Sequence, residues 1–151
     1  MNRDLHQRLV DSLYVEAMVM ADEARGYFTY HGDVDRDEMP ALARIAFSCE
    51  SLKVTTRLMH VIAWLMAQRA WQRGEIADGA IRDPKYLLGD ATPTDPEILV
   101  DFPFAACALI EASEDLYDRV ARLEARMATE GSAEDQEGPA RALIDRLESI
   151  F

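Results

Sequence analysis

The side chains able to do chemistry cluster in two places. GDVDRDE carries aspartates at alternate positions, Asp33, Asp35 and Asp37, and the apolar run ESLKVTTRLMHVIAWLMAQRAW is interrupted by Glu50, Lys53, Thr55, Thr56, Arg57 and His60. Alternating aspartates open a calcium loop, whose oxygens wrap a hard cation. Here Glu38 stands where the sharp-turn Gly belongs and Arg44 where the bidentate Glu belongs, so helix capping is the better reading of the three. A di-iron bundle needs Glu-x-x-His pairs, and His6, His31 and His60 have Arg3, Phe28 and Arg57 three residues before them. Nor do Cys49, Cys107 and the three histidines fall at zinc spacing, so neither a metal nor another cofactor is expected, and the histidines read as helix-end or surface residues with His60 partly buried.

Nucleophilic catalysis would place Ser, Thr or Cys beside a base and an oxyanion hole. Thr55 and Thr56 lie mid-helix instead, where a hydroxyl bonds back to the carbonyl one turn earlier. No Gly-rich phosphate loop follows a strand, because no strand-period segment is present. Glu50 and Arg57 are seven residues apart with Lys53 between them, which puts them on one helical face as a polar network. Its partners could come from the same chain or from a second subunit. A different reading makes Glu50, Arg57 and His60 converge in an apolar cleft, as the polar site of a small-ligand sensor or enzyme.

These residues must be positioned by helices. From Arg3 to about Tyr30, Leu5, Leu9, Leu13, Ala17, Met20, Ala24 and Phe28 recur in threes and fours, an amphipathic first helix stopped at His31-Gly32-Asp33. A second runs from about Glu38 to Arg73, with Gly74 as its stop signal. It has two apolar stripes: Ile45, Cys49, Leu52, Thr56, Met59, Ala63, Met66 and Ala70, and Val54, Leu58, Val61, Ile62 and Leu65. A helix apolar on more than one side must be covered on more than one side, so Val54, Arg57, Leu58, Val61, Ile62 and Leu65 are expected at a core or a two-fold homodimer interface. The connection that follows is punctuated by Gly and Pro and predicts at most one helical turn, near Ala77 to Arg82. Its apolar residues Leu87, Leu88, Ile98, Leu99, Val100 and Phe102 must pack back on the bundle or meet a partner. A third helix from Pro103 or Phe104 to about Thr129 carries the seam Leu109, Ser113, Leu116, Val120, Leu123 and Met127, which predicts antiparallel packing.

The fold expected is therefore all-α: a dimeric, antiparallel bundle of three long helices over residues 1–130. Residues 131–151 form an acidic linker followed by a short C-terminal helix through Leu143, Ile144, Leu147 and Phe151. A chain of 151 residues is one domain of ordinary size. Its 28 acidic against 16 basic side chains give a formal charge of −12, which repels phosphate backbones and anionic lipid and excludes nucleic acid as an expected partner. The uncharged run Val61 to Ala67 is far short of the roughly 20 residues that span a bilayer, so no membrane is expected either. Without a leader pattern, and with Cys49 and Cys107 read as small buried thiols, the expected location is the cytoplasm.

Glu50-Ser51, Thr55-Thr56-Arg57-Leu58-Met59, Trp64-Leu65, Gln68-Arg69-Ala70 and Gly74-Glu75 together resemble the signature of the regulator of CtrA degradation family of alphaproteobacteria. Tyr27-Phe28 and Gly32 fit the approach to that segment, while Lys53 and His60 stand where Arg and Gln are expected. The resemblance implies small dimeric three-helix adaptors, not enzymes, that deliver cell-cycle regulators to the ClpXP protease. Its implied partners are a second copy, protein cargo and a protease complex of that type.

Overall fold

The computed structural model describes residues 3–150, with side chains described for 3–131, 143, 144 and 146–150. All regular structure among these residues is helical. Helix α1 (Arg3–Gly26) passes through a wider π-type turn, Tyr27–His31, into the short α2 (Gly32–Asp37). Helix α3 (Ala41–Gln72) and α4 (Phe104–Ile150) complete the set of long helices, and three 3-10 turns, Ala80–Arg82, Pro84–Tyr86 and Pro96–Asp101, punctuate the connection between them. That is more regular than the single turn expected of a Pro- and Gly-rich segment. In two of the turns, Asp83 and Asp95 accept from a backbone N–H two residues on and Pro follows at the first position, which nucleates the turn locally.

The direction of α4 departs from expectation. Helix α1 is antiparallel to α3, since His6 meets Trp71 at 5.8 Å and Phe28 meets Phe47 at 5.6 Å. Helix α4 is parallel to α3: Phe47 meets Phe102 at 5.5 Å, and ten residues further along α3 Arg57 reaches Ser113 at 3.2 Å. The connection explains this. Helix α3 is about 48 Å long at 1.5 Å per residue, and the roughly thirty residues from 73 to 103 can span about 100 Å, enough to return beside it before α4 begins. The unusual length of this connection is a topological requirement of a parallel neighbour.

The core lies where the helical stripes meet. From α1 it takes Val10, Leu13, Ala17, Met20 and Ala24, with His6 also buried, while Leu5 is exposed. The buried set 6, 10, 13, 17, 20, 24 keeps steps of four and three, and Leu5 lies about 100° off that line. From α3 come Phe47, Val54, Leu58, Val61, Trp64 and Leu65, and from α4 Ala106, Ile110, Leu116, Val120 and Leu123. Arg119 of α4 ties to Glu16 of α1 across the third side of the bundle, with Nη1 to Oε2 at 3.0 Å.

Three local readings change. Gly32 is right-handed at φ −64°, so it does not stop the first helix, and a Cβ there would rest in ordinary contact 3.5 Å from the Phe47 ring. The aspartates do not cap α3, whose N-cap is Pro40. Asp35 instead accepts from the Tyr27 hydroxyl at 2.7 Å, and Asp33 pairs with Arg36 at 3.2 Å. Burial followed by that bond to Asp35 pushes the Tyr27 phenol far above its usual range. Gly74 does end α3 as expected, at φ +78°. Finally, the backbone stays helical through 131–150, where a linker and a separate short helix are expected. Gly weakens a helix interior by about 1 kcal/mol relative to Ala without forbidding it, and at Gly131 the bare backbone admits the Arg82 guanidinium, 3.0 Å from where a Cβ would stand.

His6 is buried rather than at the surface, and its Nε2 has no hydrogen-bond partner among the described residues. Desolvation holds its pKa below the usual 6.5, while Gln68 of α3 and the Glu130 carboxylate of α4 pull it partly back up. The unfolded chain therefore takes up this proton first, so stability is complete above the unfolded value and is lost as pH falls through it. Thermal melts between about pH 7 and pH 5 should show a declining melting temperature that His6→Leu flattens. Equal slopes for the two proteins would rule His6 out as the cause.

Candidate functional site

The groove between α3 and α4 holds a polar cluster sealed by the returning connection. Glu50 and Arg57 are each 1% exposed, Ser113 is fully buried and Thr94 is 8% exposed, so four polar side chains sit in the interior. The Arg57 guanidinium donates to Ser113 Oγ at 3.2 Å, to the Thr92 carbonyl at 3.0 Å and to Thr94 Oγ1 at 2.6 Å. The Thr94 hydroxyl in turn donates a hydrogen bond to Glu50 Oε2 at 2.6 Å. Ser113 likewise donates to the Ile110 carbonyl at 2.8 Å. At the rim, Lys53 Nζ pairs with Glu50 Oε1 at 2.8 Å and donates to the Pro93 carbonyl at 3.4 Å, and Glu114 lies 3.5 Å from Arg57.

Two carboxylates and two cations thus balance within one cluster. A buried charge is tolerated only when paired and hydrogen-bonded, and this one is. Every bond of Arg57 goes either to the connection or to α4, so the network fastens residues 92–94 onto the bundle. It offers no unpaired nucleophile, base or oxyanion donor to a substrate. Nor does His60 join it. Its ring packs on Gly89, where a Cβ would come within 2.7 Å of Nδ1, and Tyr117 donates to the Gly89 carbonyl at 2.6 Å. Among the described residues, no hydrogen bond links His60 to Glu50 or Arg57, and its buried Nδ1 has no partner.

The remaining expected residues divide by exposure. Val54, Leu58, Val61 and Leu65 are buried within a single chain, with Ile62 packed at their edge, so α1 and α4 already cover this stripe. The other stripe is the open one: Ile45 is 63% exposed, Leu52 67%, Met59 63% and Met66 56%, with Cys49, Thr56 and Ala63 exposed between them. Cys49 is therefore not a core thiol, because steps of four and three from Ile45 carry it onto the solvent face. Cys107 is half-buried, donates to the Leu99 carbonyl at 3.4 Å, and is raised in pKa by burial. Of the connection, Phe102 is in the core and Leu88, Ile98 and Leu99 pack against it, while Leu87 and Val100 stay exposed at 52% and 84%.

The hydroxyls of Thr55 and Thr56 bond back to Ser51 and Leu52 carbonyls at 3.0 and 2.9 Å, as their mid-helix positions predict. Thr94 and the Thr92 carbonyl escape sequence reasoning, because they lie 37 and 35 residues from Arg57. Ser113 carried a signal: a hydroxyl on an otherwise apolar seam must find a buried partner.

The family model described as "protein of unknown function (DUF1465)" matches residues 1–151. The crystal structure of RcdA from Caulobacter crescentus CB15 is similar at a TM-score of 0.65 and 32% identity, covering 79% of this chain and 90% of that one. No curated protein matches the chain.

Proposed function

From the chain's membership of the DUF1465, RcdA-like family, we propose that it acts as a non-enzymatic adaptor. It works as a homodimer and brings cell-cycle regulators to a protease complex of the ClpXP type. The observation that carries this reading is the open stripe on α3. Ile45, Cys49, Leu52, Thr56, Met59, Ala63 and Met66 follow alternating steps of four and three across a face that the chain leaves bare. A seam of this period asks for a second helix, and a two-fold partner supplies one. Dimerisation then proceeds through this stripe rather than through Val54, Arg57, Leu58, Val61, Ile62 and Leu65, which the bundle itself consumes.

Support also comes from the polar cluster, whose donors and acceptors are spent on holding the connection in place. No helix of the described residues is long and apolar enough to cross a membrane. Work is left to surfaces, and the acidic surface suits protein partners.

The test is reconstitution. Cell-cycle regulators captured with this chain from its own cells are added to purified ClpXP, with and without the protein. At least one is expected to be degraded several-fold faster in its presence. Unchanged rates for every captured regulator would remove the adaptor reading.

A further inference from the structure

At the end of the bundle where α3 begins, a cleft of about 300 Å³ lies between α3 and the 3-10 turn Pro96–Asp101. Ala43 and Ala46 are small and leave it open, and Leu42, Ile98 and Phe102 make its apolar walls. Asp95, Glu97 and Asp101 stand around it, and no basic side chain lines it. Leu42 is 82% exposed and, nearby in sequence, Val100 and Phe104 are 84% and 89% exposed.

We propose that this cleft docks a short basic segment of a partner protein, which inserts one bulky apolar side chain between Ala46 and Ile98 and sets Lys or Arg against Glu97 and Asp101. The inference rests on the adaptor reading for the partner being a protein, and adds where and by what chemistry it is held. The volume is at the small end for a ligand pocket, suited to one large side chain and too small for a packed domain surface. Charge selects the occupant. One carboxylate oxygen of Asp95 already accepts from the Glu97 N–H at 3.0 Å, which leaves Glu97 and Asp101 as the principal charges offered outward. A rim of one sign on a chain of net charge −12 attracts cations and repels phosphate backbones and acidic surfaces, a second copy of this chain included.

The test is selection of a random twelve-residue displayed peptide library on the full chain, with the double variant Glu97→Lys, Asp101→Lys as counter-selection. Both positions are exposed, so circular dichroism should show unchanged helicity. Recovered peptides are expected to share one large apolar residue flanked by two or more Lys or Arg. By fluorescence anisotropy they should lose at least tenfold in affinity on the double variant and also on Ala46→Trp, which fills the cleft. Peptides chosen by charge alone, with binding untouched by Ala46→Trp, would overturn the proposal. So would a double variant that changes only the monomer–dimer balance, since the cleft would then be a contact between copies. Expected peptide binding with no effect of the protein on ClpXP degradation would keep the cleft and remove the adaptor. Stimulated degradation with no peptide discrimination would do the reverse.

Discussion

Arg57→Ala should destabilise the chain by about 3–5 kcal/mol, the cost of breaking a buried pair from one side. Truncation leaves the 1% exposed Glu50 with only Lys53 as a charged partner, and strips Ser113, Thr94 and the Thr92 carbonyl of a donor in one step. Because domains of this kind are stable by only about 5–15 kcal/mol in total, the loss is visible as a large fall in urea midpoint. Hydrogen exchange should locate the damage, with amides of residues 87–95 opening before those of α1. Arg57→Met combined with Glu50→Leu should recover much of the loss, since removing both charged partners in favour of apolar groups is far less costly than orphaning one. The dimer constant should not move, because Arg57 is 1% exposed and lies off the open stripe of α3. A loss below about 1 kcal/mol for Arg57→Ala would contradict the account of the cluster as the fastening of the connection.

The second large effect concerns association. Leu52→Glu with Met59→Glu should convert a dimer to monomers at micromolar concentration, with the dissociation constant raised at least a thousandfold, about 4 kcal/mol. Both side chains are more than 60% exposed in the single chain, so the fold should lose no more than about 0.5 kcal/mol per site. The interface, by contrast, would have to bury four carboxylates around its two-fold axis, where like charges repel and desolvation opposes them. Sedimentation equilibrium and thermal melts read the two effects separately. The seam assignment fails if the wild-type chain sediments as a monomer, or if the double variant remains a dimer.

What the sequence could reveal about the site follows from the range of the interactions involved. The two stripes of the second predicted helix were legible, because periodicity is written every three or four residues. Their assignment was not, since Val54 and Leu52 are both apolar and only their neighbours decide which is covered. The same limit applies at the N-terminus, where Leu5 fits the pattern as well as His6 does and the packing of α1 against Trp71 buries the histidine. For the connection, composition revealed its length and its apolar content but not its path. Phe102 reads the same whether it lies in the core or faces a partner.

By itself the sequence determined that this chain is helical, that it has three long helices, that Thr55 and Thr56 satisfy their own hydroxyls, and that α3 stops at Gly74. Each is a local matter of backbone preference and one-turn hydrogen bonding. Tertiary structure alone decided that α4 runs parallel to α3, that the Ile45–Met66 stripe is left bare, and that Arg57 binds Thr94 and Ser113 of its own chain. The helix direction and the Arg57 bonds depend on contacts between residues 37 to 56 positions apart. Such pairings are chosen by the joint packing of all three helices and the returning connection, and no single segment's pattern contains them.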